Sequence, residues 1–261
     1  MYNSQEFFYI TDGGSFFPKN SGNYINNKFV NYRKAKETMM SNTVLIIGQS
    51  GSGKSTSLRN LDPKSTFIIN VLDKPLPFRG FKKAYQPITK ENKMGNYYST
   101  HDWAMVVRCI EMVNKERPDI TSLIIDDWQY ILSYEFIKRA SEKGFDKFSD
   151  MANHGWSTMN SCTTGNRNSL TTFILAHSDI DQNGRAKLKT IGKMLDEKIT
   201  LEGLFTTVLH SKIVDGEYKF QTQDDGNYLA KSPMGMFDEF LIDNDLLLVK
   251  KAVESYFNEE E

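Results

Sequence analysis

From Gly48 to Thr56 the chain reads Gly-Gln-Ser-Gly-Ser-Gly-Lys-Ser-Thr, and residues 48–55 match G-x-x-x-x-G-K-[ST] at every fixed position. Residue types in that order bind polyphosphate. Glycines let the backbone curl with its N–H groups turned to one centre, and a helix opening at the loop adds its partial positive charge. Gly48, Gln49, Ser50, Gly51, Ser52 and Gly53 are the expected backbone cradle. Lys54 is expected to reach the β- and γ-phosphates, Ser55 to offer its hydroxyl to Mg2+, and Thr56 to face the helix or the α-phosphate side. ATP and Mg2+ are therefore the expected cofactors, although nothing in the loop separates ATP from GTP.

Such a site needs an acid at the end of a neighbouring buried strand. Leu123-Ile124-Ile125-Asp126-Asp127 supplies it. Asp126 is the expected metal ligand, because a carboxylate at the tip of an apolar strand is costly near a core unless paired. Asp127 has two readings, a water-activating base or the cap of the following helix. Asp73, after the apolar run 66–72, is a second candidate base or else an ordinary turn residue ahead of Pro75. His177, at the end of the run 171–176, is either a γ-phosphate sensor or a hydrogen-bonded surface residue.

The elements that must hold these residues follow from hydrophobic pattern. Runs 43–47, 66–72, 122–125 and 171–176 read as buried strands. Ser99 to Asp102 can cap a helix with Val106, Ile110 and Val113 on one face, ended by Pro118. A helix after Asp127 would align Tyr130, Tyr134 and Ile137, and another covers 150–162. Asp215-Gly216 between residues 205–214 and 217–222 predicts a hairpin, and a closing helix from Asp245 aligns Leu246, Val249, Val253 and Tyr256. A strand and a helix separate the two phosphate-site strands along the chain, which is compatible with the P-loop division that inserts a strand between them. RecA-like ATPases belong to that division. The expected fold class is α/β: a P-loop NTPase with a RecA-like core, a mainly parallel sheet flanked by helices, and a C-terminal antiparallel hairpin extension. Residues 1–42 read as a leader, peripheral or oligomer-contacting, and 43–261 as a single ATPase domain.

Composition narrows the partners. With 261 residues, 39% hydrophobic and 12% aromatic, the chain can bury one large core. Lys plus Arg number 32 against 33 Asp plus Glu, so no overall field steers it to nucleic acid or anionic membrane, and any such binding must be local. Cys109 and Cys162 form no C-x-x-C pair, which suits a reducing compartment rather than a disulfide or zinc framework. No apolar stretch approaches the roughly 18 residues of a membrane span, so no membrane partner is expected.

On these residues the chain resembles a family of phage-encoded P-loop proteins, the RecA-like branch of the Sak-type single-strand annealing proteins. The resemblance rests on GQSGSGKST (48–56), NVLDKPLPFRG (70–80), LIIDDWQY (123–130), LAHSD (175–179), KTIGKMLDEKITLEGLFTTV (189–208) and AKSPMGMF (230–237). It implies an oligomer-forming ATPase, assembled as a ring or filament, that handles single-stranded DNA in phage recombination or replication. A single-strand-binding protein is a further implied partner, and the cytoplasm of an infected bacterium the implied location. Arg185, Lys187, Lys189, Lys193 and Lys198 form a local basic run able to track a phosphodiester backbone, although Asp196 and Glu197 partly cancel it. Trp128, Trp156 and Phe205 read as core rather than as base-stacking platforms. The segment around Lys231 is similar to the hairpin end with which RecA-like hexameric helicases send a lysine and an arginine into a neighbour's nucleotide. Here the lysine is present and the arginine is not, which implies slow turnover. The competing readings are a nucleotide-gated scaffold without catalysis, a small-molecule kinase and, third, a replicative helicase.

Overall fold

The apolar runs become the strands of one mixed sheet. In chain order these are β1 (Thr43–Gly48), β2 (Thr66–Asn70), β3 (Tyr97–Ser99), β4 (Ser122–Asp126), β5 (Thr171–Ile180), β6 (Ala186–Leu188), β7 (Thr207–Val214), β8 (Glu217–Gln221) and β9 (Leu241–Asp243). The computed structural model describes residues 42–258. Most of the expected leader, residues 1–41, and the acidic tail 259–261 lie outside the described residues. The strand order is β3-β2-β4-β5-β1-β7-β8-β9, with β6 added to β5. Strands β3 through β7 of that order run parallel, while β8, β9 and β6 pair antiparallel.

Both faces of the parallel part are covered, which is why its strands read as continuous apolar runs rather than alternating ones. Leu45, Ile47, Phe67, Ile69, Leu123, Ile125, Ile174 and Val208 face one layer. That layer holds α1 (Trp103–Glu116), α2 (Gln129–Lys138) and α3 (Asp146–Thr163). Val44, Ile46, Ile68, Ile124, Phe173 and Leu209 face the other, covered by Leu58, Phe81 and α4 (Leu246–Asn258) through Leu246, Val249 and Val253. The α1 expectation holds in detail: Asp102 accepts a hydrogen bond from the Met105 N–H at 3.0 Å, and Val106, Ile110 and Val113 are fully buried. So does the hairpin, where Asp215 and Gly216 both take positive φ, 51° and 85°. Trp128 and Phe205 are core and Trp156 packs against it. Cys109 and Cys162 are fully buried thiols. Among the described residues no helix is long and apolar enough to cross a membrane.

Four expectations need correction. The helical start after the glycine loop is a short 3-10 segment, Ser55–Asn60. The strand lying between β1 and β4 in the sheet is β5, not β2, which sits on the outer side of β4. Asp127 does not cap α2, whose first turn has no side-chain cap. The face of α2 that is buried carries Gln129, Ile131 and Leu132, while Tyr134 and Ile137 are 40% and 70% exposed. On the same face the Gln129 side chain accepts the His177 backbone N–H at 3.0 Å.

Candidate functional site

The glycine loop leaves the C-terminal end of β1. Register sets residues of the neighbouring strands at this edge: Gly48 lies opposite His177 of β5 and Ile47 opposite His210 of β7, while Asn70 lies opposite Asp126 where β2 and β4 end. A crevice at the carboxyl ends of parallel strands is where open α/β sheets bind ligands. Gln49, Ser50 and Gly51 are exposed, whereas Ser52, Gly53 and Lys54 are buried. Two glycines are required by their surroundings. A Cβ on Gly48 would lie 2.5 Å from the Ser211 carbonyl oxygen, and one on Gly53, at φ +97°, would lie 2.8 Å from the Tyr218 ring. Gly51, at φ +79°, faces open space. Gly48→Ala is therefore expected to cost about 1–3 kcal/mol through collision with β7, while Gly51→Ala costs only the left-handed backbone term, about 1 kcal/mol. Urea unfolding of the two variants at unchanged slope checks this, and equal midpoints would remove the close-approach argument.

Lys54 folds back on its own loop, donating to the carbonyl oxygens of Gly48 and Gln49, each at 2.8 Å. Burial pulls its pKa down to about 8, against the opposing pull of Asp127 and Asp126. Ser55 donates its hydroxyl to Asp126 Oδ1 at 2.8 Å. Asp126 has no exposed surface, and its Oδ2 is buried without a hydrogen-bond partner. Burial, then the charge of Asp127, pushes the Asp126 pKa up to about 6. An oxygen-only pair of hydroxyl and buried carboxylate with an unspent lone-pair set suits Mg2+, which takes few protein oxygens and keeps waters or phosphate oxygens for the rest. Among the described residues no larger group of His, Cys, Asp and Glu gathers as a metal cage.

Asp127 sits at φ +62°, turned inward and 1% exposed. It pairs with Lys74, and its Oδ1 lies 3.3 Å from His177 Nε2. Burial raises its pKa, but hydrogen bonding to His177 and Lys74 outweighs that, and the net shift is downward. His177 also meets the Tyr130 ring edge-on at 5.8 Å. Lys54, Ser55, Asp126, Asp127 and His177 thus converge on one crevice. Asp73 turns elsewhere, accepting the Tyr97 hydroxyl at 3.0 Å.

Two more groups belong to this region and carry no mark in the sequence. Lys74 directly follows Asp73, the acid that a strand end of this kind leads one to expect, and nothing in its own neighbours distinguishes it from a surface lysine. His210 is 2% exposed, with a pKa pulled down to about 4 by burial and then by Lys212 and Lys54. No local pattern marks it, since only the β1–β7 register brings it to the loop.

The basic run is partly committed within the chain. Arg185 pairs with Asp224, and Lys187 donates to the Asp196 carbonyl at 3.1 Å. Residues 186–188 form β6 rather than a mobile loop, and the Lys189 N–H donates to the His177 carbonyl at 2.8 Å. Lys231 stands apart from the crevice. Its backbone exchanges two 2.8 Å hydrogen bonds with Val208, opposite Leu45 in the β1 register and so three residues short of Gly48.

No family model matches the chain, and no curated protein matches it either. The fold and the crevice therefore define the class at the level of an α/β protein with a mostly parallel sheet and a glycine-loop site at its carboxyl edge.

Proposed function

We propose that the chain is a RecA-like P-loop ATPase that binds Mg-ATP, hydrolyses it slowly and couples nucleotide state to binding or annealing of single-stranded DNA in phage recombination or replication. One observation carries the nucleotide part: the Ser55 hydroxyl meets the buried Asp126 carboxylate, whose second oxygen is unpartnered, beneath a glycine loop that holds Lys54. The strand interposed between β1 and β4 supports the RecA-like division. In this reading Lys54 exchanges its two carbonyl partners for phosphate oxygens, and the loop N–H groups hold the β-phosphate. Mg2+, held by Ser55 and Asp126, would neutralise phosphate charge. Asp127, turned into the crevice with His177 at 3.3 Å, takes the proton of the attacking water, and His177 keeps it oriented.

Coupling to DNA is supported by the continuity of β5 with β6. His177 at the crevice is hydrogen-bonded through its carbonyl to Lys189, so a shift of His177 on nucleotide binding moves the basic strand directly. Lys231, remote from its own crevice, fits action on a neighbour's nucleotide in a ring or filament. Replacing Lys187, Lys189 and Lys193 together is expected to flatten the salt dependence of single-strand binding, by roughly 0.7 in the log–log slope for each phosphate that the variant no longer neutralises. An unchanged slope would clear the run of DNA contact. The central experiment is phosphate release from Mg-ATP with and without single-stranded DNA, with Lys54→Ala beside wild type. A Lys54-dependent rate that DNA raises is the expected result. A rate indifferent to DNA would sink the recombination reading, and no Lys54-dependent rate would sink catalysis.

A further inference from the structure

We propose that Lys74 is a second phosphate-binding cation of the crevice, stored on Asp127 when nucleotide is absent and transferred to the γ-phosphate when ATP binds. The proposal rests on the nucleotide reading above and names a catalytic residue within it.

Local geometry delivers this side chain to the site. β2 ends at Asn70, opposite Asp126, so the chain that follows leaves the sheet directly beside the candidate metal ligand. Asn70 then donates its side-chain N–H to the Lys74 carbonyl at 2.7 Å, which pins the lysine backbone to the strand end. Asp73, at φ +54°, makes the turn, and the Tyr97 hydroxyl holds its carboxylate at 3.0 Å. Pro75 fixes the next φ. The backbone of Lys74 is thereby held while its side chain, 45% exposed, reaches from solvent over the crevice to Asp127, whose side chain is 2% exposed. The side chain is partly open to solvent, and its ammonium rests on the buried acid.

Charge balance gives the reason for storage. Lys54, Lys74, Asp126 and Asp127 are two cations and two anions in mutual range. A polyphosphate entering the crevice brings several negative charges and competes with both carboxylates for both lysines. Lys54 has two neutral carbonyls to leave. Lys74 leaves a carboxylate that keeps the His177 ring at 3.3 Å, and the ammonium stays in the same crevice on the incoming phosphate. The same move adds a positive charge to the transferred phosphoryl group. During transfer a water oxygen bonds to the γ-phosphorus while the bond from γ-phosphorus to the β–γ bridging oxygen breaks. The bridging electron pair stays on ADP, and the water's protons leave with the released phosphate. A cation supplied within the chain also fits a sequence that has no arginine beside Lys231.

A lysine that only neutralised Asp127 would respond differently from one that grips the γ-phosphate. The test is equilibrium binding of Mg2+ with ADP or with a non-hydrolysable ATP analogue to the full chain, alongside single-turnover hydrolysis. Lys74→Met is expected to weaken the analogue about 10- to 100-fold, as loss of a hydrogen bond to a charged group does, with ADP affinity changed less than about threefold. Lys74→Arg is expected to restore most of the difference, since it keeps the charge. The double variant Lys74→Met/Asp127→Asn removes both charges of the pair and so leaves no buried carboxylate without its cation. It too must lose the preference for the analogue over ADP. Equal weakening of both ligands, or an undiminished preference in the double variant, would overturn the assignment while leaving the nucleotide site standing. Wild type that binds neither ligand would remove the nucleotide reading and this inference together.

Discussion

Lys54→Ala is expected to lower nucleotide-dependent phosphate release by at least about 100-fold, the scale of removing one preorganised charge donor from a phosphoryl-transfer site, while leaving the fold intact. Both halves follow from the environment of the ammonium. Lys54 is 5% exposed and donates to two loop carbonyls, so alanine forfeits those bonds and some packing. Against that stands its depressed pKa. A lysine whose folded pKa is about 8 instead of 10.5 binds its proton less readily folded than unfolded, so it costs stability that is fully felt below pH 8. Removing it lifts that cost. Because the two contributions oppose each other, the net change should lie within about 1 kcal/mol, a few degrees in a chain of this size. Thermal unfolding at pH 7 beside the release assay checks both. Normal turnover by the variant would remove Lys54 from the chemistry, and a collapsed midpoint would make the loss of turnover uninformative about it.

What was legible along the chain was what local chemistry decides. The loop, the strand runs and the hairpin at Asp215-Gly216 are marked by glycines at turn positions and by continuous β-branched and apolar runs, which neighbouring residues spell out directly. The α1 face was legible for the same reason, since Val106, Ile110 and Val113 form an apolar row at helical spacing. α2 was not, because Tyr130, Ile131, Leu132, Tyr134, Phe136 and Ile137 surround it, so its spacing marks no single face and packing against the sheet selects the one with Gln129, Ile131 and Leu132. The site divides in the same way. Lys54 and Ser55 stand in one turn after β1, and Asp126 is marked by its place at the tip of an apolar run, although only the sheet order brings it to Ser55. The partners of Asp127 depend on where two loops from separate strands meet, and Lys74 and His210 become visible only once β2 lies beside β4 and β7 beside β1.

Asp126→Asn is expected to make the metal-free protein more stable at neutral pH while removing Mg2+-dependent turnover by about 100-fold or more, on the scale set by loss of a preorganised charge. The carboxylate is fully buried, with one oxygen bonded to Ser55 and the other unpartnered, and it faces a second buried carboxylate. Its folded pKa, about 6, lies above the ordinary 3.8. Between those values the folded chain holds a proton that the unfolded chain has released, so stability falls as pH rises through the interval and stays reduced above it. Asparagine keeps the shape and the acceptor for Ser55 but carries no charge at any pH. The variant should therefore gain about 1–3 kcal/mol over wild type at pH 7–8, the stability scale of a shift of one to two pKa units, and the gain should vanish near pH 4, where Asp126 is largely protonated when folded and close to half protonated when unfolded. Unfolding curves at pH 4 and pH 8 read the difference directly. A gain that persists at pH 4 would assign it to packing instead of charge, and a loss at pH 8 would mean that the ionised carboxylate has a partner that stabilises it. A stabilising substitution that abolishes turnover is the expected mark of a residue held in an unfavourable state for the sake of a ligand, because a buried acid kept for structure alone would be stabilised, not strained, by its surroundings.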